Sequence, residues 1–386
     1  MPLLVFLIAA CSFVIGTGEF VIMGLLPEIA RDLGVSIASA GLLVSAYAGG
    51  IIFGAPAFTL AASGLRRDRM LVAMMAIFTA GVLLCAFAPS YGWLLAGRIV
   101  CAVAHGAFVG VAVVVAATVV PPERSAGAVG LVFAGITFAS VIGVPLGTAI
   151  GQRFGWTATF EGLTAISVLV TLALALRIPA IAGRRAEGAR GELLALSGSR
   201  VPQALAVTVF VFAGVFTFFT FIAPTLSAEA HVSPDGLSLL LLLFGVGMTT
   251  GVSIGGVLAN RMPIASAMVL PLLIALVLAG FPVATASMIA IATLVFLLGL
   301  FTAMMVPGLQ MRVLRAASAA PTLASSLNIS AFNIGNAAGA WAGSLVLGHG
   351  GGLGGLSATG AVLLLLAWLT TAVGLARARR SLAQAA

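Results

Sequence analysis

The sequence predicts an all-α membrane protein whose twelve transmembrane helices form two pseudo-symmetric six-helix bundles. Three observations lead to this fold class. The 386-residue chain is 61% hydrophobic and only 7% charged. Its charged residues leave long apolar runs uninterrupted, and its two halves repeat the same pattern of glycines. Together these features place the chain in a lipid bilayer rather than in water.

The composition excludes most soluble classes of protein. A soluble domain has about 25% charged residues, so 7% is too few to cover a water-facing surface. A soluble enzyme, a nucleic-acid-binding protein and a disordered chain are therefore excluded. The net charge of +8 is the excess of 18 basic residues, all of them arginine, over 10 acidic residues. Because these arginines lie in short loops rather than on one binding face, they indicate membrane orientation and no nucleic-acid partner.

Charge-free runs predict that the spans are helices. About 20 apolar residues cross a bilayer as a helix, and the strands of a membrane barrel would need alternating polarity, which the runs lack. Lipid offers backbone groups no hydrogen-bond partner, so a helix must satisfy them internally. The runs without Asp, Glu, Lys or Arg are Leu33–Leu65, Met70–Gly97, Ser125–Gln152, Val201–Ala228, Gly236–Asn260 and Met262–Met311.

Charges, prolines and glycine turns divide the chain into twelve predicted spans. The long run Met262–Met311 is divided at Gly280-Phe281-Pro282, because glycine and proline favour a turn. Met1–Ala10 lacks the basic segment of a signal peptide and is interpreted as the start of a retained first span. In order, the spans are Leu3–Leu26, Ala38–Ala61, Met70–Ala88, Trp93–Val119, Ala126–Ile150, Glu161–Leu176, Ala204–Leu226, Leu237–Ala259, Ile264–Gly280, Ala284–Val306, Thr322–Leu347 and Ser357–Leu375.

The arginines predict the orientation of these spans. Fifteen of the 18 fall in the tail and in one set of loops, while Arg31 and Arg153 lie in the opposite set and Arg98 lies inside span 4. Positive residues concentrate on the cytoplasmic side. We therefore expect a multi-pass protein of a bacterial inner membrane with both termini in the cytoplasm.

The widest polar stretch, Arg177–Gln203, separates six spans from six. It predicts an N-terminal bundle over residues 1–178, a cytoplasmic linker over residues 179–203 and a C-terminal bundle over residues 204–386. A regulatory site in this linker has no support in the sequence.

Glycines at matching positions indicate that the halves are repeats. Small residues four apart let two helices approach closely in lipid, which is also a general device of helix packing. Their recurrence in corresponding spans favours two bundles related by an axis along the membrane normal, as in transporters. Gly50 and Gly54 of span 2 correspond to Gly247 and Gly251 of span 8, and Gly143, Gly147 and Gly151 of span 5 correspond to Gly335, Gly339 and Gly343 of span 11.

Three ionisable residues inside spans are candidates for proton coupling. Glu19 lies in span 1, and Arg98 and His105 lie seven residues apart in span 4, which places them on one helix face about 10.5 Å apart along the axis. Such groups are costly in lipid and are functional candidates by default. The alternatives are a structural ion pair or backbone partner for Glu19, electrostatic tuning for Arg98, and helix packing for His105.

Several other residues are candidates for contacting a substrate. Tyr47 in span 2 carries a polar tip on an apolar body, and Phe108 shares the face of span 4 that carries His105. Asn328 and Asn333 in span 11 can bind a ligand through their amides or bind a neighbouring helix. Asn336, beside the glycine ridge, is interpreted as a helix contact.

Signals for other chemistry are absent from the sequence. There is no nucleotide-binding Gly-x4-Gly-Lys motif and no zinc motif. The three cysteines, Cys11, Cys85 and Cys101, are scattered in apolar runs and predict neither disulfides nor a metal site. No enzymatic activity, cofactor or metal is expected.

Five motifs together resemble a known family. They are Gly16-Thr17-x-Glu19-Phe20, Gly54-Ala55-Pro56, Ala104-His105-Gly106-Ala107-Phe108, Gly143-Val144-Pro145-Leu146-Gly147 and Asn328-Ile329-Ser330-Ala331-Phe332-Asn333. Over essentially its whole length the chain resembles the major facilitator superfamily, specifically the twelve-span drug/proton antiporters of the chloramphenicol, arabinose and purine efflux group. The fourth motif is similar to the antiporter motif, which is typical of exporters.

The resemblance implies a proton-coupled antiporter that exports a small neutral or amphiphilic drug or metabolite by alternating access, with spans 1, 4, 7 and 10 lining the cavity. Glu19 would carry the proton, with Arg98 and His105 tuning it or competing for it. Substrate contacts would come from Phe20, Tyr47, His105, Phe108, Asn328 and Asn333. Pro56, Gly143, Pro145, Gly147, Gly335 and Gly339 would be structural, and the glycine ridges of spans 5 and 11 would pack across the two halves.

Other functions remain open from the sequence. A proton symporter or a uniporter for a sugar or nucleoside is the first alternative, and a non-transporting membrane sensor or assembly factor is the second. The expected partners are a small-molecule substrate, protons and the lipid bilayer, with the chain acting as a monomer.

Overall fold

The computed structural model describes residues 2–61, 66–181, 201–316 and 321–385, with side chains described outside 54–61, 122, 126, 321–326 and 378–385. No strand occurs within these ranges. The predicted all-α class is confirmed.

The first six spans occupy the chain before the predicted linker. Span 1 is followed by a short helix, Leu26–Asp32, and span 5 is two α-helices joined by a π-helical turn, Ala139–Gly143. In order, the spans are Leu3–Gly24, Ile37–Ala61, Arg67–Ala86, Tyr91–Thr118, Pro122–Phe138 with Val144–Phe154, and Trp156–Arg177.

The last six spans repeat this arrangement, and span 7 is likewise followed by a short helix, Ile222–Glu229. In order, they are Val201–Phe219, Pro234–Arg261, Pro263–Ala284, Met288–Ala316, Pro321–Gly348 and Gly352–Ala385. Within the described residues, ten helices are long and apolar enough to cross a membrane. The bent pair Leu26–Asp32 and Ile37–Phe53, with 117° between its helices, supplies an eleventh. Span 11 is a helix of 28 residues.

The turn between spans 9 and 10 differs from the prediction. The expected division at Gly280-Phe281-Pro282 is wrong, because the helix continues to Ala284. Gly280 is a packing position, where an added Cβ would lie 3.2 Å from the side chain of Leu294 in span 10. The turn is set instead by Ser287, whose hydroxyl accepts the backbone N–H of Ala290 at 3.3 Å and so caps span 10.

The break in span 5 has a local cause. Pro145 has no N–H to donate to the carbonyl four residues earlier, and its ring would clash with that carbonyl in a regular helix. The π-helical turn directly before Val144 relieves this conflict, since such turns accommodate an irregular position inside a helix. Span 5 also extends beyond the predicted Ala126–Ile150 at both ends.

The chain divides into two compact units. The first unit is Met1–Ala186 with Val232–Gly245, and the second unit is Glu187–His231 with Val246–Ala386. Within the first unit, span 1 packs on spans 5 and 6, and span 3 packs on spans 4 and 6. Within the second, span 7 packs on spans 11 and 12, and span 9 packs on spans 10 and 12. The same pairings recur six spans apart, as expected for two pseudo-symmetric bundles. Most of the predicted linker, 179–203, lies outside the described residues.

The glycines of span 5 pack on spans 1 and 6. A Cβ added at Gly147 would lie 2.7 Å from Val21 Cγ2 and 3.1 Å from Thr159 Cγ2, and one at Gly143 would collide with Thr17. This ridge therefore faces helices of its own unit.

The glycines of span 11 pack on span 7 in the same way. A Cβ at Gly335 would lie 2.7 Å from the carbonyl oxygen of Val209, and one at Gly339 would collide with the carbonyl oxygen of Ala213. The expectation that the two ridges pack across the halves is wrong for these glycines, because their nearest neighbours belong to the same unit. Gly54 and Pro56 lie in span 2, at positions outside the described side chains.

The cysteines are all free and buried. Cys85 of span 3 and Cys101 of span 4 lie where these two helices pack through Gly81 and Gly97, since a Cβ at either glycine would approach a cysteine sulfur within 2.7 Å.

Candidate functional site

Three polar side chains of the first unit meet between spans 1, 2 and 4. Glu19 Oε2 lies 3.8 Å from His105 Nδ1, and the Tyr47 hydroxyl is hydrogen-bonded to the same nitrogen at 3.1 Å. Tyr47 is 1% exposed and His105 8%, while the Glu19 side chain is 13% exposed. A carboxyl, an imidazole and a phenol thus form one buried cluster, which we call the Glu19 cluster.

Arg98 supports this cluster from two helical turns away on span 4. Its guanidinium donates to the backbone carbonyl of Gly18 and, at 3.0 Å, to that of Glu19. Its Cζ lies 4.0 Å from the centre of the Tyr47 ring, which is within range of a cation–π contact. Arg98 is 1% exposed, and its Nε has no hydrogen-bond partner among the described residues.

Arg98 therefore binds the backbone of span 1 rather than the Glu19 carboxylate. Carbonyl oxygens in a helix retain a second lone pair, and the guanidinium uses two of them at once. This arrangement fixes the position of span 1 along its axis relative to span 4. It leaves the Glu19 carboxyl beside the imidazole of His105, which carries a charge only when it is protonated.

Two glycines just before Glu19 let span 1 pack closely on its neighbours. A Cβ added at Gly18 would lie 3.0 Å from the Phe78 ring of span 3, and one at Gly16 would lie 3.2 Å from Ile136 Cα of span 5. The Gly-Thr-Gly-Glu sequence thus places a carboxyl group at a crowded part of the helix. Phe78 and Ile136 were not identified from the sequence, because nothing distinguishes them from other apolar residues of their spans.

The two predicted phenylalanines adjoin the Glu19 cluster along the chain. Phe108 follows His105 by three residues, close to one helical turn, and is fully buried. Phe20 follows Glu19 directly and is partly buried.

The predicted asparagines lie in the second unit. Asn328 Oδ1 accepts the hydroxyl of Thr208 at 2.8 Å, and its Nδ2 donates to Gln310 Oε1 at 2.7 Å. It thereby links span 11 to spans 7 and 10. Gln310 was not identified from the sequence, although a polar amide inside the charge-free run Met262–Met311 indicates a residue that needs a hydrogen-bond partner.

Asn333 is placed differently. Its Nδ2 donates to the carbonyl of Ile329 within the same helix at 3.0 Å, while its Oδ1 is buried and has no hydrogen-bond partner among the described residues. Asn336 Oδ1 is also buried and has no hydrogen-bond partner among the described residues. Such an unpaired acceptor is expensive, so Asn333 and Asn336 each have capacity for a further donor.

Within the described ranges, no group of three or more His, Cys, Asp or Glu residues is arranged to hold a metal ion. The carboxyl, imidazole and phenol of the Glu19 cluster can each donate or accept a hydrogen bond.

Comparison with known proteins identifies the family. Residues 8–224 match the sequence profile of the Major Facilitator Superfamily. The chain is 42% identical over 369 residues to the inner membrane transport protein YdhP of Escherichia coli (strain K12), a match that covers 95% of this chain and 94% of YdhP. The chain belongs to the major facilitator superfamily.

Another relative is similar over nearly its whole length, and a solved structure shows a similar fold. The chain is 37% identical over 382 residues to a chloramphenicol resistance protein of Streptomyces lividans, covering 95% of this chain and 96% of that protein. A crystal structure of a D-xylose–proton symporter matches the fold with a TM-score of 0.75 at 14% identity, covering 94% of this chain and 96% of the other. As a member of the major facilitator superfamily, the protein is a multi-pass inner-membrane transporter of small molecules and not an enzyme.

Proposed function

We propose that this transporter is a proton-coupled antiporter that exports a small neutral or amphiphilic drug or metabolite by alternating access. The observation that carries the proposal is the Glu19 cluster, in which a carboxyl group lies beside an imidazole and a phenol, largely out of water. A relative named for chloramphenicol resistance supports export and an amphiphilic substrate.

Glu19 is the proton carrier in this proposal. Burial favours the neutral form of a carboxyl group, so entry of water from one side and then the other would change whether Glu19 holds its proton. His105, whose Nδ1 lies 3.8 Å away, and Tyr47 can each donate or accept a hydrogen bond. The His105 imidazole can therefore receive a proton that leaves Glu19, and the resulting imidazolium and carboxylate lie next to each other. The Tyr47 phenol contributes a hydrogen bond to this pair and holds no extra proton.

The remaining predicted residues divide by their contacts. Phe20, Phe108 and Tyr47 would offer apolar surface to the substrate, and Asn333 would offer its unpaired carbonyl oxygen. The oxygen and the nitrogen of the Asn328 amide are both already engaged, which favours a structural role for that residue. Pro56 and the glycines of spans 5 and 11 would be structural.

The proposal extends to the organisation of the chain. We propose bundles over residues 1–178 and 204–386 with a cytoplasmic linker between them, both termini in the cytoplasm, and a monomer as the working unit.

The proposal is tested by transport in proteoliposomes with an imposed pH gradient, using chloramphenicol as the probe. We expect the unmodified protein to move chloramphenicol uphill against its gradient and to dissipate the pH gradient as it does so. Glu19→Gln keeps the shape of the side chain and removes its titration, so uphill movement is expected to fall to simple equilibration.

Glu161→Gln is the matched control. Glu161 lies on span 6 and is exposed, so this change removes a carboxyl group of the same unit outside the Glu19 cluster. Uphill transport by Glu19→Gln equal to that of the control would refute the coupling role. Movement of substrate with the protons rather than against them would replace antiport by symport.

A further inference from the structure

A second feature belongs to the second unit, whereas the Glu19 cluster belongs to the first. A cavity of about 310 Å³ opens among spans 7, 8, 9, 10 and 12, a size within the range of small-ligand sites. Its lining includes Leu270 of span 9, Met305, Leu309 and Arg312 of span 10, and Thr371 of span 12. The walls are mainly apolar, and the polar side chains in them are Ser266, Arg312, Arg315 and Thr371.

The charged groups of this cavity are two arginines one helical turn apart. Arg312 is partly buried and donates to Thr371 Oγ1 at 2.9 Å, which holds its guanidinium in the wall. Arg315 lies in the lining and is exposed. Among the described residues, neither arginine has a carboxylate within salt-bridge distance. Because a partly buried cation without a counter-ion is costly, Arg312 favours an anionic ligand, and the exposed Arg315 adds a second positive charge one helical turn away.

The interior of the cavity suits a flexible apolar chain. Met304, Met305 and Leu309 form its wall on span 10, and methionine side chains adapt to irregular apolar ligands. Gly308 lies between Met305 and Leu309 in the sequence. Among the described residues, a Cβ added there would have Ala259, at 4.0 Å, as its one neighbour. The space beside Gly308 is therefore open.

The position of the cavity near the ends of two spans indicates the chemical class of its ligand. It lies at the end of span 10 and the beginning of span 9, the region where Ile264 is 57% exposed. Apolar exposure at a helix end places the mouth beside lipid. Basic pockets between membrane helices bind anionic lipid head groups.

We propose that this cavity binds an anionic phospholipid, with the lipid phosphate between Arg312 and Arg315 and an acyl chain against the methionines of span 10. A free phosphate ion would satisfy the arginines but would leave the apolar part of the cavity unused. The site is independent of the transported substrate and of the Glu19 cluster.

The test measures lipid retention by native mass spectrometry after purification with a mixture of phosphatidylglycerol and phosphatidylcholine. We expect the unmodified protein to retain phosphatidylglycerol preferentially. Since each basic residue contributes about 1 kcal/mol to binding an anionic membrane lipid, Arg312→Gln and Arg315→Gln should each weaken retention about fivefold. The control is Arg177→Gln, which removes an exposed arginine at the end of span 6, in the other unit.

Gly308→Leu tests the apolar part of the site with both arginines intact. It fills the open space and replaces glycine by a better helix former, so folding should persist while lipid retention falls. Retention in Arg312→Gln and Arg315→Gln equal to that of the Arg177→Gln control would overturn the proposal. Thermal stabilisation by inorganic phosphate alone that equals the stabilisation by phosphatidylglycerol would also overturn the proposal, because the acyl chain would then contribute nothing.

Discussion

At the scale of single residues, Arg98 is the residue that organises the Glu19 cluster. It joins the backbone of span 1 to the ring of Tyr47 on span 2 while its own chain belongs to span 4. One side chain thus sets the relative position of three helices. Its planar, forked guanidinium is suited to this task, whereas a lysine ammonium is a point charge.

Arg98→Lys is therefore expected to be disruptive despite keeping the charge. A single ammonium cannot reach both carbonyls and stack on the ring, so we expect a loss of about 2 kcal/mol in the free energy of unfolding. The measurement is unfolding of the purified protein in sodium dodecyl sulfate. Arg177→Lys, an exposed position, is the control, and equal stability of the two variants would contradict the assignment.

The sequence predicted the members of the Glu19 cluster better than their partners. The seven-residue spacing of Arg98 and His105 followed from helical geometry alone, and the cost of a carboxyl group in lipid singled out Glu19. That Arg98 binds carbonyls of span 1 depends on the distance between spans 1 and 4, which no residue type encodes. For the same reason, the engagement of Asn328 by Thr208 and Gln310 could not be foreseen.

At the scale of elements, the glycine ridges explain how spans 5 and 11 pack. At Gly339 an added Cβ would meet backbone atoms of span 7, the carbonyl of Ala213 and the nitrogen of Thr217. Backbone cannot move aside as a flexible side chain can, so even a methyl group must separate the two helices.

Gly339→Ala is expected to destabilise the protein although alanine favours the helix. Overpacking of this kind costs about 1–3 kcal/mol, and we expect a lower melting temperature. The control is Gly162→Ala in span 6, where an added Cβ meets nothing within 4 Å and where stability should be kept or raised. A melting temperature for Gly339→Ala equal to that of the control would show that spans 7 and 11 can separate at no cost.

The elements also show where sequence patterns mislead. Gly280 and Pro282 favour a turn in most settings, but in span 9 the glycine receives Leu294 of span 10 and the helix tolerates the proline. Ser287, an unremarked residue of the sequence, ends that turn through its capping hydroxyl. Turn residues and packing residues can be of the same type, and only the neighbouring helix distinguishes them.

At the scale of the whole molecule, the repeat of helix pairings is the strongest link between sequence and fold. Span 1 packs on span 5 as span 7 packs on span 11, and in both cases through glycines four residues apart. The repeat was visible in the sequence because close packing demands glycine. The packing partner was not, since a flat helix surface does not specify which helix lies against it.

The uneven distribution of arginines predicts the topology of the whole chain. With both termini in the cytoplasm, a green fluorescent protein fused after Ala386 should fluoresce, because it folds only on that side. Alkaline phosphatase inserted in the turn after Leu33, between spans 1 and 2, should be active because it requires the periplasm. Exchanging the two reporters is the control. Activity of both reporters after the exchange would show that the protein has the opposite orientation.

The burial of Cys11, Cys85 and Cys101 has a practical consequence. A thiol packed among apolar side chains is inert towards reagents that attack from water, and the described structure buries all three. The unmodified chain is thus already a silent background for site-directed spin labelling. One cysteine introduced on an exposed loop of each unit would allow the distance between the two spin labels to be measured. The three native cysteines would not have to be replaced first.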